Sequence, residues 1–258
     1  MGAPDEQAMT NTGGSMICYA LDHASLDEAR RAAALVRDEV GMLKVGLELF
    51  VHEGPAAMAV GAENGLPVFL DLKLHDIPET VERAVARASA LGAKVLTVHA
   101  SGGPSMLARA VQRAAKGAAG LSIAAVTVLT SLDASDLAAT GVAGDVAAQA
   151  ERLARMAFDA GVRAFVCSPH EVAAMRSALG PDATLITPGV RDGGAGGPGG
   201  GDDQKRVATA ARAVTDGADW LVVGRPIRDA KDPRAAARAL REQADEARAA
   251  RSGTGRAR

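Results

Sequence analysis

Aromatic side chains are scarce. Trp220 and Tyr19 are the sole tryptophan and tyrosine, and with four phenylalanines they make up 2% of the 258 residues. A core must therefore be built from Ala, Val, Leu and Ile, and stacking platforms for single-stranded nucleic acid are not to be expected. Excess charge of one sign is also missing: 29 Lys and Arg against 31 Asp and Glu leave a formal net charge of −2. No global field then recruits nucleic acid or an anionic membrane. No apolar run approaches the roughly 18 residues of a membrane-spanning helix, so no membrane span is expected. Cys18 and Cys167 are the two cysteines, each inside an apolar run and without metal-ligand spacing. They read as reduced, buried thiols of a cytoplasmic protein, and no metal site is indicated.

The segment Met1–Ser15 is polar, contains glycine and lacks the apolar stretch of a secretory signal. It reads as a disordered extension, with Met16 as an alternative start. The Arg-rich end reads as a solvated last helix followed by a disordered tail over 251–258. Residues 16–250 are left as a single domain, a length that suits an α/β barrel.

What is present is a repeating alternation. Apolar runs at Ile17–Leu21, Met42–Val45, Val68–Leu72, Val95–Val98, Ile123–Leu129, Ala164–Val166, Thr184–Ile186 and Trp220–Val223 make eight strand candidates. They are continuous rather than alternating, as in strands buried on both faces. Between them lie segments with apolar residues at helical spacing, such as Leu26–Glu39, Thr80–Leu91 and Gln204–Thr215. Eight strand–helix units in this length predict a closed parallel (β/α)8 barrel, a TIM barrel, with an open doubly wound sheet as the alternative. Gly193–Gly201, following the seventh strand, reads either as a flexible linker or as a closing loop on the active-site face, and its position favours the loop.

In parallel barrels the chemistry sits at the carboxyl ends of the strands, where a charge is costly unless paired or used. Those ends carry Asp22 after strand one, Lys44 in strand two, and Asp71, Lys73, His75 and Asp76 along strand three. Asp71 and Lys73, two apart, share one side of an extended strand, and Lys44 on the next strand reaches the same layer. Two ammoniums and up to three carboxylates at one barrel mouth are expected. A lysine between carboxylates is favoured in its charged form, which suits a proton donor and not a Schiff-base nucleophile. A salt-bridge network that merely closes the barrel end is the competing reading. Gly224-Arg225 after strand eight sits where barrels bind phosphate, with Gln204 reaching over the same ligand. His75 lies within the acidic motif, and barrel-end structure explains it as well as chemistry does. His23, His52, His99 and His170 show no ligand spacing.

Several blocks in order resemble the orotidine 5′-monophosphate decarboxylase family, in its bacterial branch. They are Ala20-Leu-Asp22, Lys44-Val-Gly-Leu-Glu-Leu-Phe50, Phe69-Leu-Asp71-Leu-Lys73-Leu-His75-Asp76-Ile-Pro-Glu-Thr80-Val, Val98-His-Ala100, Leu129-Thr-Ser131, Thr187-Pro-Gly-Val-Arg191, Asp203-Gln204 and Val222-Val-Gly-Arg225. The resemblance runs from Ile17 to about Leu240. It implies a cofactor-independent decarboxylation yielding uridine 5′-monophosphate in pyrimidine biosynthesis. It also implies roles: Lys73 protonating C6 of the pyrimidine, Asp71 against the substrate carboxylate, and Lys44 and Asp76 completing the charged array. Asp22 and Lys44 would hold the ribose hydroxyls, Thr130 would border the pyrimidine, and Arg191, Gln204, Gly224 and Arg225 would bind phosphate, Gln204 also reaching the base. Ile77 and Pro188 are further implied substrate contacts. Asp76 and Thr80 would serve the site of a partner subunit in a homodimer. The glycine-rich stretch before Gln204 departs from the family pattern.

The chemistry fits that implication, because a carbanion at C6 has no adjacent carbonyl to accept its electrons and no cofactor motif is present as a sink. The protein must supply a cation where the charge develops. A sugar-phosphate decarboxylase or aldolase of the same barrel suprafamily, acting on a substrate such as 3-keto-gulonate 6-phosphate, is the alternative enzyme. A non-catalytic phosphate-binding barrel is the alternative of another class.

Overall fold

The computed structural model describes residues 14–117, 120–191 and 207–254. Eight strands occur where the apolar runs predict them: β1 (Ile17–Ala20), β2 (Met42–Gly46), β3 (Val68–Leu74), β4 (Val95–His99), β5 (Ser122–Val126), β6 (Ala164–Val166), β7 (Thr184–Thr187) and β8 (Trp220–Val223). Each pairs in parallel with its neighbour in sequence, and β8 returns to pair with β1 through Ile17–Leu221 and Tyr19–Val223. The sheet is therefore a closed barrel, and the open-sheet alternative is excluded.

Two apolar layers hold it. Inside the barrel, alternate strand residues (Cys18, Ala20, Met42, Phe69, Val95, Ala124, Ala164, Ile186, Trp220 and Val222) meet as a plug. Outside, the helices press small residues onto the strands, as Leu26–Val36 does with Leu26, Ala29, Ala33 and Val36 at three- and four-residue spacing. Ser25 caps that helix by accepting from the Glu28 N–H. With aromatics so few, alanine-rich helix faces let backbones approach closely instead of large side chains filling wide gaps.

Three boundaries differ from expectation. The helix expected over Gln204–Thr215 begins only at Ala210, where the Thr209 hydroxyl caps it, and Ala208–Thr209 instead pairs with Val190–Arg191 as a small parallel ladder. The part over 204–206 lies outside the described residues, as does Gly193–Gly201. The last helix, Pro233–Thr254, runs past the expected boundary at 250, because Arg251 Nη1 donates to the carbonyls of Val214 (3.0 Å) and Ala218 (3.3 Å). At the other terminus Ser15 is anchored, its hydroxyl donating to the Glu39 carbonyl at 2.8 Å, whereas 1–13 lie outside the described residues. Among the described residues, no helix is long and apolar enough to cross a membrane.

Candidate active site at the carboxyl ends of the strands

The inward-facing positions one step above the apolar plug carry the polar groups. Met42 is followed two residues on by Lys44, Phe69 by Asp71 and Val95 by Thr97, so the strand period of two lifts each polar side chain into the layer over the plug. Lys73 Nζ donates to both Asp71 oxygens at 2.8 Å. Lys44 Nζ donates to Asp22 Oδ1 at 3.2 Å and stands 3.6 Å from Asp71 Oδ2. Asp22, Lys44, Asp71 and Lys73 thus form one continuous chain of charge.

Burial alone would raise the Asp71 carboxyl pKa. The ammoniums of Lys44 and Lys73, with hydrogen bonds from Lys73 and Thr97, outweigh that and hold it below the usual carboxylate range. For Lys44, burial works toward deprotonation, but Asp71 and Asp22 overcome it and keep the ammonium above its ordinary value. Both groups are therefore charged at neutral pH.

The backbone supporting this cluster is irregular. Phe69 and Leu70 pair with Val95 and Leu96, but Leu74 pairs with Val98, so Asp71, Leu72 and Lys73 face the single residue Thr97. Lys73 takes up the difference with φ of 50°, in the left-handed region where a non-glycine residue costs about 1–3 kcal/mol. The two-residue spacing that aligns Asp71 with Lys73 in a regular strand is therefore replaced by a bulge, which still brings Lys73 Nζ onto Asp71.

These groups open onto a cavity of about 520 Å³. Of the predicted residues, Asp22, Lys44, Asp71, Lys73, Thr130, Pro188, Arg191, Gly224 and Arg225 all line it. Arg191, Gly224 and Arg225, at the ends of β7 and β8, stand across the barrel from β3. Asp76 does not join the array. Its carboxylate is exposed and accepts from the Ile77 N–H at 2.6 Å, because the chain has already turned toward the helix Pro78–Ala90. Ile77 (66% exposed) and Thr80 likewise face outward, away from this chain's own cavity. Gln204 lies outside the described residues.

Some cavity residues escaped the sequence reading. Val126, Val128, Val166 and Cys167 form an apolar wall, and Cys167 is a buried thiol whose pKa burial pushes up, an inert surface beside the charges. Arg228 lines the cavity one helical turn beyond Arg225 and donates to the Asp22 carbonyl at 3.0 Å. The Arg-Pro-Ile-Arg spacing was a usable signal for it. Thr97 is fully buried, accepts from the Lys73 N–H at 2.8 Å and donates to Asp71 Oδ1 at 2.9 Å. His75 and His99 lie side by side, ring centroids 5.5 Å apart, near the same cluster. Burial, then His75 and Lys73, hold the His99 imidazole below its ordinary value. Among the described residues, no group of three or more His, Cys, Asp or Glu is placed to hold a metal ion.

Known proteins are similar to this chain over most of its length. The chain is 57% identical over 220 residues to an orotidine 5′-phosphate decarboxylase of Anaeromyxobacter sp. strain K, spanning 85% of this chain and 94% of that protein. It is 50% identical over 221 residues to one from Thermobifida fusca, across 85% and 91% of the two. The crystal structure of an orotidine 5′-phosphate decarboxylase from Lactobacillus acidophilus superposes with a TM-score of 0.77 at 33% identity, over 90% of this chain and 99% of that one. A family model matches residues 15–240, and on that match and these identities the chain belongs to the orotidine 5′-phosphate decarboxylase / HUMPS family.

Proposed function

We propose that this protein decarboxylates orotidine 5′-monophosphate to uridine 5′-monophosphate in pyrimidine biosynthesis, with residues 16–250 as the catalytic unit and no cofactor. The observation that carries the reading is the Lys73 ammonium held on both oxygens of an ionised, partly buried Asp71 at the floor of a cavity with arginines across from it. The names of the relatives support the nucleotide rather than a sugar phosphate as substrate.

In this reading Arg225, Arg191 and Gly224, with Gln204, grip the 5′-phosphate, and Asp22 and Lys44 hold the ribose hydroxyls. Thr130, Pro188 and the Val126–Val166 wall border the pyrimidine. Binding the distal phosphate then positions the carboxylate against Asp71. The C6–carboxylate bond breaks, carbon dioxide departs, and the electron pair left on C6 takes a proton from Lys73, which later regains one from solvent. The fixed ammonium stabilises the developing charge in a site whose wall excludes water. An absorbance assay following loss of orotidine 5′-monophosphate tests the reading directly, and a purified protein with no turnover overturns it.

The active unit in this reading is a homodimer with shared sites. The exposure of Asp76, Ile77 and Thr80 supports it, since groups that the family pattern gives a role point away from their own cavity. Mixing inactive Lys73→Ala with inactive Asp76→Ala subunits is expected to restore activity at about a quarter of all sites, since half of a random mixture is hybrid and each hybrid holds one intact site. Hybrids present by native mass spectrometry without activity would show that each barrel is self-sufficient. The near-neutral net charge supports neither nucleic-acid nor membrane partners, and two buried free thiols fit a cytoplasmic location.

A further inference from the structure

We infer that Thr97 is a positioning residue of this site, its hydroxyl fixing the Asp71 carboxylate and the Lys73 backbone in the geometry the reaction needs. The inference rests on the decarboxylase reading and adds a residue to it.

The argument begins with the ladder. In an unbroken parallel pair, a strand N–H in register finds a backbone carbonyl on its neighbour. Where β3 and β4 slip, three residues oppose Thr97 alone, and the Lys73 N–H donates to Thr97 Oγ1 at 2.8 Å instead. A side-chain oxygen thus replaces the missing ladder acceptor, and it does so at the residue whose φ of 50° most needs restraint. Having accepted that N–H, the hydroxyl directs its own hydrogen to Asp71 Oδ1 at 2.9 Å. One fully buried oxygen therefore couples the backbone of the proton donor to the carboxylate beside it.

The bond matters because the other donor on Oδ1 is temporary. Lys73 Nζ lies on Asp71 Oδ1 before reaction, but it must turn to C6 and give up a proton. Lys44 stands on the other oxygen, Oδ2. The Thr97 hydroxyl is thus the neutral, non-titrating donor that stays on Oδ1 while Lys73 acts. Without it the carboxylate would be free to rotate as Lys73 leaves, and a small misplacement of a charged group in a preorganised site is costly to rate.

Thr97→Val keeps the shape and the β-branch and removes only the hydroxyl, while Thr97→Ser keeps the hydroxyl. In the full-length protein, with orotidine 5′-monophosphate as substrate and uridine 5′-monophosphate as inhibitor, Thr97→Val is expected to lower kcat by about tenfold or more, with KM and the inhibition constant within about threefold. Thr97→Ser is expected to stay within about threefold of the wild type. A Val variant retaining more than about half the wild-type kcat, an equal loss in KM, or a Ser variant as impaired as Val would each overturn the role. Should the Val variant fail to fold, Thr97→Cys serves in its place, since a thiol is a weak donor of similar size, and Cys and Ser variants of equal kcat would overturn it. Wild-type protein that does not turn over the nucleotide at all would sink the decarboxylase reading and Thr97's role with it, an outcome distinct from an active wild type with an unimpaired Val variant.

Discussion

Two carboxylates are sunk into this barrel, one at each end, and their surroundings differ in kind. At the amino-terminal end, Glu39 precedes β2 with a side chain only 4% exposed, met by Arg238 Nη2 at 3.1 Å, Arg241 Nη1 at 3.0 Å and Arg234 Nε at 3.5 Å. All three arginines come from the helix Pro233–Thr254, so this cluster clamps the last helix to the barrel floor. At the carboxyl end, Asp71 is less enclosed, its side chain 13% exposed, its lysines come from β2 and β3, and its cluster opens onto a cavity. Asp71 also sits on a bulged strand beside a residue in the left-handed region, whereas the Glu39 cluster carries no positive-φ residue. Buried ion pairs alone thus say little about function; strain, a cavity and donors across from it distinguish the working cluster from the structural one.

Substitutions at the two ends should separate the two roles. The largest effect is expected from Lys73→Ala, where kcat should fall by about three orders of magnitude or more with uridine 5′-monophosphate binding retained. A variant keeping above about a tenth of wild-type kcat would remove Lys73 from the transition state. Next, Arg225→Ala loses a charge-assisted contact of about 1.5–3 kcal/mol, and KM should rise by roughly ten- to a hundredfold. A KM within twofold of wild type, in the same steady-state assay, would put the phosphate elsewhere.

Glu39→Ala is expected to do the reverse. With its arginines partly solvated, removing the acid should cost about 1–3 kcal/mol, seen calorimetrically as a Tm lower by about 2–12 °C. Turnover at 25 °C should not change. A loss of kcat without a loss of Tm would erase the contrast between the ends.

The smallest effect concerns pH. His99 titrates below 6.5 in the folded protein, chiefly through burial and secondarily through His75 and Lys73. Between 6.5 and that lower value the unfolded chain binds a proton that the folded chain does not, so stability should fall as pH drops through this window. His99→Gln should flatten that decline by about a degree or two of Tm, and an unchanged slope from pH 7 to 5 would assign it to other groups.

Much of this was legible in the sequence for a physical reason. Strands buried on both faces must be continuous apolar runs, so all eight were visible, and a charge interrupting such a run, as Lys44 and Asp71 do, is costly enough to mark a site. The ends were harder. The run Ile123–Leu129 outlasts its strand because the chain leaves the ladder after Val126 toward the cavity, where Val128 still needs burial. Thr97 was invisible because a threonine in Val-Leu-Thr-Val-His looks like any other β-branched strand residue, and its value lies in the slipped register opposite it. Spacing left Asp76 open as a third carboxylate at its own barrel mouth, while the resemblance implied a role in a partner's site; in the structure its carboxylate is exposed and caps the Ile77 N–H.

Having a single tryptophan also makes the molecule its own optical probe. Trp220 opens β8 at 7% exposure within the barrel plug, at the end of the strand away from the cavity. Its emission reports the integrity of the barrel floor and should stay largely silent when nucleotide fills the far end. A red shift under denaturant would therefore time the opening of the barrel itself, free of signal from ligand binding.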